Sequence, residues 1–96
     1  ENLSPGEIED VLLTHSAVAD AAVVGVPDEQ WGEAVAAAVV AKSGATTDMQ
    51  ALKDLVKDQL RSSRVPAHMA IWDELPYNET GKLLRRVVKA SFIEGL

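Results

Sequence analysis

The spacing of hydrophobic positions changes several times along the chain, and the first stretch has helical spacing. Residues 4–7 (SPGE) place a serine, a proline and, three positions after the serine, a glutamate, which is the pattern of a capping box. Ile8, Val11 and Leu12 follow at helical intervals. The pattern predicts a first helix over residues 5–15. Three acidic residues lie near the positive end of its dipole: Glu7, Glu9 and Asp10.

The next hydrophobic stretches have the composition of β-strands. Residues 18–26 and 33–41 are small and β-branched, and the turn-rich segment 27–33 (PDEQWGE) joins them. The two strands are therefore predicted to be antiparallel neighbours. The second is almost entirely apolar, which predicts that both of its faces are covered. A short third strand is predicted over residues 67–72.

Helical spacing returns twice in the second half of the chain. Thr47 and Gln50 form a second capping-box pattern, and a last helix is predicted over residues 83–93. The apolar stripe of the middle helix is predicted to comprise Met49, Leu52, Leu55, Val56 and Leu60. The order α-β-β-α-β-α predicts an α+β fold, a small sandwich in which helices cover a three-stranded sheet.

Composition restricts the classes of protein that fit. A chain of 96 residues, 47% hydrophobic and 25% charged, is the size and balance of one folded domain. A net charge of −6 argues against nucleic acid or an anionic membrane as a general partner. The chain has no cysteine, which excludes disulfides and thiolate metal sites, and no apolar stretch long enough for a membrane span. A cytoplasmic location is expected.

The segment NETGKLLRR concentrates positive charge in this acidic chain. Four of the nine basic residues fall within eight positions and share one face of a helix or the loop before it: Lys82, Arg85, Arg86 and Lys89. Leu84, Val87 and Val88 occupy the other side. A P-loop is excluded because Pro76 and Leu83 replace the required glycine and hydroxyl residue. Spacing alone favours a solvated face over a contact with phosphates or an acidic surface.

The remaining conspicuous side chains are interpreted as structural. Trp31 and Trp72 border predicted strands and are expected to pack in the core or at a domain edge rather than form a ligand platform. His15 and His68 lack nearby ligand spacing, so no metal site is expected. Three acidic residues at the strand joint are predicted to be solvated turn formers rather than an acid–base set: Asp28, Glu29 and Glu33.

Taken together, residues 1–40 and 64–86 closely resemble the small C-terminal domain of the adenylate-forming acyl-CoA synthetases. The motifs ENLSP, VVGVPDEQWGE and LPYNETGKLLRR occur in the order found in that superfamily. The resemblance implies that a carboxylic acid and ATP form an acyl-adenylate and pyrophosphate, which the thiol of coenzyme A then attacks. It also implies that the small domain rotates between the two half-reactions.

The resemblance places the family's catalytic lysine at Lys82, on a loop that Thr80 and Gly81 shape. An ammonium suits adenylation because an anionic carboxylate must approach an anionic α-phosphate. Glu1 and Asn2 match the end of a glycine-rich loop on the coenzyme A side. Many members carry an aromatic residue and a lysine where this chain has Ser63 and Arg64. Candidate phosphate or interdomain contacts are Arg64, Arg85 and Arg86.

The resemblance also implies which partners the chain needs. ATP with Mg²⁺, coenzyme A and a small carboxylic or fatty acid are expected as substrates, bound mainly by a large N-terminal domain of the same enzyme. The chain alone is expected to hold no cofactor and to be inactive. Two alternatives are the corresponding part of a nonribosomal peptide synthetase adenylation domain and a partner-binding domain without catalysis.

Overall fold

The computed structural model describes residues 4–96, except for the side chain of Ser62, and it confirms the predicted α+β fold and element order. The helices end earlier or begin later than predicted, and the third strand is shorter. A single 3-10 turn, Ser62–Arg64, precedes β3. The elements are α1 (Pro5–Leu13), β1 (Val18–Asp28), β2 (Gly32–Ala41), α2 (Met49–Gln59), β3 (His68–Ile71) and α3 (Arg85–Glu94).

The three strands form one sheet in the order β1-β2-β3. As predicted, β1 and β2 are antiparallel, and their pairing runs to Asp28 opposite Gly32, with an irregularity between Val18 and Asp20. β3 pairs with β2 in parallel, with Ala36 opposite His68. β1 is therefore an edge strand whose outer backbone groups must find other partners.

The apolar strand β2 lies between two hydrophobic clusters, which confirms that both of its faces are covered. Its side chains alternate between them because successive residues of a strand point to opposite faces. The first core cluster includes Ile8, Leu12, Val35, Val39, Leu52 and Val56, and so joins α1 and α2 to one face. The second core cluster includes Ala22, Val24, Ala36, Ala38, Leu75 and Val88, and places α3 on the other face.

The helix caps differ from the predicted capping boxes. The Ser4 side chain makes no capping hydrogen bond to α1; instead its carbonyl oxygen accepts from the amides of Glu7 and Ile8 at 3.1 and 3.3 Å. Pro5 at the first helical position has no N–H to satisfy. The predicted position of the helix start is therefore correct, but the backbone carbonyl replaces the serine hydroxyl.

The cap of α2 is Asp48 rather than the predicted Thr47. Asp48 immediately precedes the first helical residue, and its Oδ1 accepts from the amides of Gln50 and Ala51 at 3.0 and 3.3 Å. A carboxylate at this position also interacts favourably with the helix dipole. A one-residue shift in the helix start was enough to change the capping side chain.

Two residues predicted to lie on apolar faces of helices are exposed. Met49 is 43% exposed, so the buried stripe of α2 is formed by Leu52 and Val56. Val87, predicted to lie on the apolar side of the last helix, is 42% exposed, whereas Val88 is completely buried. α3 contacts the sheet through Val88 and Phe92, four residues apart, and this direction turns Val87 towards solvent.

Candidate functional site

The segment before α3 forms a narrow loop, which we call the Lys82 loop and define as residues 76–84. Tyr77 and Leu83 form an antiparallel bridge across its base. The amide of Asn78 donates to the carbonyl of Lys82 at 2.9 Å, and the amide of Leu84 donates to the carbonyl of Pro76 at 2.9 Å. The backbone of the loop is thus paired on both sides of its tip.

The side chain of Asn78 organises the interior of the Lys82 loop. Its Oδ1 accepts from the amide of Thr80 at 3.0 Å, from the Thr80 hydroxyl at 2.8 Å and from the amide of Lys82 at 2.8 Å. Gly81 has φ +85°, a conformation that glycine adopts without steric cost. The prediction that Thr80 and Gly81 shape the loop omitted Asn78, although an asparagine opening a turn is a recognisable signal.

Lys82 lies at the end of this ordered turn, with an exposed side chain. Within residues 4–96, no hydrogen bond or ion pair engages its ammonium group. Its backbone is held at both the amide and the carbonyl, by Asn78 in each case. The loop therefore combines a fixed backbone with a long side chain that carries an unneutralised positive charge.

The structure separates the predicted basic residues. Arg85 Nη2 donates to Glu9 Oε1 at 2.6 Å, and Arg64 Nη1 donates to Glu7 Oε1 at 3.0 Å. Arg86 and Lys89 are exposed on α3. Two of the three arginines predicted to contact phosphates or another domain, Arg64 and Arg85, are therefore already paired with glutamates of α1.

The Glu9 side chain of α1 forms hydrogen bonds to two other elements near the Lys82 loop. It is the buried acidic residue of α1, and its Oε2 accepts from the amide of Val23 at 2.8 Å while its Oε1 accepts from Arg85. Val23 belongs to the edge strand β1, so Glu9 satisfies a backbone donor of that strand. The carboxylate thus connects α1, β1 and the beginning of α3.

Tyr77 ties the other end of the Lys82 loop to the sheet. Its hydroxyl donates to Oδ2 of Asp20 on β1. This hydrogen bond, with a smaller effect of burial and the nearby negative charge of Asp20, raises the pKa of Tyr77 to about 12. The neutral phenol is therefore the form that the folded chain stabilises.

We expect the Tyr77 phenol to ionise near pH 12 in the folded chain, against 10.0 for an unperturbed tyrosine. Tyr77 is the sole tyrosine, so tyrosinate absorbance reports this group alone. Because the folded-state pKa exceeds the unfolded one, the hydrogen bond stabilises the fold below pH 10 and this stabilisation is lost towards pH 12. In Asp20→Asn the absorbance midpoint should move back towards 10.0; equal midpoints in both proteins would contradict the assignment.

The joint between β1 and β2 tests the predictions made for Asp28 and Trp31. Asp28 Oδ2 accepts from the amides of Gln30 and Trp31 at 3.1 and 2.8 Å, so Asp28 is a turn former as predicted. Trp31 is 76% exposed at the tip of the joint, so of the two predicted packing environments, the core and a domain edge, the structure excludes the core. It borders an open cavity of about 470 Å³ together with Val35 and Val65.

Trp72 confirms the packing interpretation. Its ring stacks on Phe92 of α3 with centroids 5.8 Å apart, and it lies against the second core cluster. The His15 ring has a local role as well, since its Nδ1 accepts from the amide of Ala17 at 3.1 Å. Trp72 thus packs between α3 and the sheet, and His15 stabilises the turn before β1.

Three further predictions concern metal binding, membrane spans and the first two residues of the chain. Among residues 4–96, no group of three or more histidine, aspartate or glutamate side chains is arranged to hold a metal ion. Within the same range, none of the helices has the length and apolar character needed to cross a membrane. Glu1 and Asn2, predicted to belong to a loop on the coenzyme A side, lie outside the described residues.

Comparison with known proteins gives consistent matches over most of the chain. The sequence profile described as "AMP-binding enzyme C-terminal domain" matches residues 7–82. A 2-succinylbenzoate–CoA ligase of Bacillus cereus is 46% identical over 89 residues, which are 93% of this chain and 18% of that protein. A fatty acid–acyl-carrier-protein ligase of Streptomyces coeruleorubidus is 46% identical over 92 residues, 96% of this chain and 18% of that protein.

A solved structure also shares the fold of this chain. The amide bond synthetase McbA from Marinactinospora thermotolerans superposes with a TM-score of 0.92 at 41% sequence identity, covering 95% of this chain and 18% of that one. In each of these comparisons the chain spans about a fifth of the length of its relative. The matched regions therefore correspond to one part of a larger protein.

Proposed function

The chain belongs to the AMP-binding enzyme C-terminal domain family, a domain of adenylate-forming acyl-CoA ligases, and from this premise we propose that Lys82 is its catalytic residue. The proposed reaction converts a carboxylic acid and ATP into an acyl-adenylate and pyrophosphate. A thiol then attacks the acyl-adenylate and releases AMP. In this proposal residues 1–96 form one small domain of the ligase, and the large domain lies outside the chain.

The observation that carries the proposal is the state of the Lys82 ammonium. It extends from a backbone held by hydrogen bonds, and within residues 4–96 it has no ion-pair partner that would neutralise it. Adenylation brings a carboxylate oxygen to an α-phosphate that is itself anionic, so a positive charge close to both lowers the barrier. A long, flexible lysine stem can deliver that charge to a neighbouring domain.

Lys82 acts in the first half-reaction in this proposal. The carboxylate oxygen forms a bond to the α-phosphorus, the bond between that phosphorus and the bridging oxygen breaks, and pyrophosphate leaves with the electron pair. The ammonium keeps its protons and stabilises the charge on the oxygens around phosphorus. Rotation of the domain would then withdraw Lys82 before the thiol attacks.

The other substrates are proposed to bind mainly outside this chain. ATP with its Mg²⁺, the acid and coenzyme A would contact the large domain, since the chain spans only 18% of its relatives. The relatives' names include a CoA ligase, an acyl-carrier-protein ligase and an amide bond synthetase. The first half-reaction does not depend on the acceptor, so it is the step assigned to Lys82, and coenzyme A is the proposed acceptor in the second. The lack of cysteine fits a cytoplasmic location.

Adding the chain to its matching large domain should restore acid-dependent pyrophosphate release, because the large domain alone would lack the Lys82 ammonium. The measurement is pyrophosphate formed with the large domain, with the chain and with both. A large excess of chain is needed because the two parts are no longer tethered. If the mixture binds but releases no more pyrophosphate than the large domain alone, a partner-binding role without catalysis would be favoured.

A further inference from the structure

We propose that Asn78 is a positioning residue for adenylation: its side-chain oxygen sets the backbone from which Lys82 extends, an inference that rests on the proposed function. Asn78 itself contacts no substrate in this proposal. It acts through the loop, and its removal should affect the half-reaction that uses Lys82 and leave the other intact.

The first support is the pattern of hydrogen bonds around one atom. Asn78 Oδ1 accepts from the amides of Thr80 and Lys82 at 3.0 and 2.8 Å and from the Thr80 hydroxyl at 2.8 Å. These donors lie on both sides of Gly81, whose φ of +85° reverses the chain direction. Without the acceptor, the amide of Lys82 would lose its partner and the tip of the loop could adopt other turns.

The second support is that the ends of the Lys82 loop are fixed independently of Asn78. Tyr77 is hydrogen-bonded to Asp20, and Arg85 is paired with Glu9. Leu83 packs against the second core cluster. These anchors hold the loop ends to the sheet and to α1. Truncation of the Asn78 side chain should therefore loosen only the tip of the loop and the backbone amide of Lys82 beside it.

The chemistry is sensitive to such a change. Positioning of a reacting group contributes large factors to rate, and a displacement of about 1 Å can cost roughly 10²-fold. Lys82 can compensate in part because its stem has several rotatable bonds. We therefore expect Asn78→Ala to slow adenylation by about 10-fold or more, less than loss of the ammonium itself.

The experiment compares Asn78→Ala with Glu79→Ala in an intact ligase that carries this domain. Glu79 is the next residue of the Lys82 loop, it is exposed, and it takes no part in the hydrogen bonds to Asn78 Oδ1, so Glu79→Ala serves as the matched control. Adenylation, thioester formation from supplied acyl-adenylate and thermal unfolding are measured for each variant. Asn78→Ala should slow only adenylation; Glu79→Ala should leave both rates close to those of the parent enzyme.

Amide hydrogen exchange supplies a readout of loop geometry that is independent of rate. Exchange in the peptide that contains Lys82 should be faster in Asn78→Ala and remain slow in Asn78→Asp, because an aspartate keeps an acceptor oxygen at the same place. Unchanged exchange in Asn78→Ala would overturn the inference. So would equal losses in the two half-reactions accompanied by a lower unfolding temperature, which would indicate a purely structural role.

A third variant separates this inference from the proposed function. If Lys82→Ala does not slow adenylation, the catalytic assignment fails and the positioning role fails with it. If Lys82→Ala slows adenylation while Asn78→Ala has the rate of the parent enzyme, the catalytic assignment stands and only the positioning inference is overturned.

Discussion

Lys82→Ala should slow acyl-adenylate formation by at least about 10²-fold in an intact ligase, the usual loss when one charge-stabilising group is removed from an active site. Thioester formation from supplied acyl-adenylate should proceed at the parent rate. The reason is that the positive charge is needed only while the carboxylate approaches the α-phosphate. Stability should change little, because the side chain is exposed and the loop is held through its backbone.

The two half-reactions must be measured separately. Pyrophosphate release in a single turnover reports adenylation, and thioester formed from added acyl-adenylate reports the second step. Lys89→Ala is the matched control, because Lys89 is also exposed in the same basic segment but lies on α3. Lys82→Arg should recover only part of the rate, since a planar guanidinium differs from an ammonium in shape. Equal losses in both half-reactions for Lys82→Ala would contradict the assignment.

Glu9→Ala should lower the free energy of unfolding by about 2–3 kcal/mol, because the change leaves a buried backbone donor without its acceptor and removes a charged partner. The donor is the amide of Val23, 2.8 Å from Glu9 Oε2. The charged partner is Arg85, whose side chain is 45% exposed and can regain water. This partial rehydration keeps the expected loss below that of a fully buried ion pair.

Urea or thermal unfolding of the chain measures the effect. Glu7→Ala is the matched control, because Glu7 lies on the same helix and pairs with Arg64, but its side chain is 51% exposed. The Arg64 side chain is only 16% exposed, but the Glu7 end of the pair is accessible to water, so loss of the Glu7 carboxylate should cost about 0–1 kcal/mol. Glu9→Gln should fall between the two, since its amide can accept from Val23 but cannot neutralise Arg85. If Glu9→Ala and Glu7→Ala had equal effects, the bridging role of Glu9 would be refuted.

Local sequence patterns predicted the elements well because each element is specified by spacing within a few residues. The small and β-branched composition of two segments predicted β1 and β2, and the almost entirely apolar composition of β2 predicted that both of its faces are covered. The errors were equally local. Asp48 replaced Thr47 as a cap because capping depends on which residue immediately precedes the helix, and sequence patterns locate that boundary only to within a residue or two.

The residues of the candidate site also fall into those that the sequence identified and those that only the structure explained. Lys82, Thr80 and Gly81 could be identified from the ordered motifs, and the left-handed Gly81 agrees with a turn at that position. Asn78 could have been found from its place in the turn. Spacing grouped Arg85 with Lys82, Arg86 and Lys89, but the structure pairs it with Glu9, and Trp31 proved too exposed for a core residue.

The sequence by itself determined the secondary structure, the two-sided core, the family resemblance and the candidate lysine, because these depend on neighbours in the chain or on ordered motifs. Only the tertiary structure decided what anchors the two ends of the Lys82 loop to the rest of the domain. Tyr77 and Asp20 are 57 positions apart, and Arg85 and Glu9 are 76 apart. Contacts over such separations arise when the sheet and helices pack together, so no local pattern of charge or hydrophobicity encodes them.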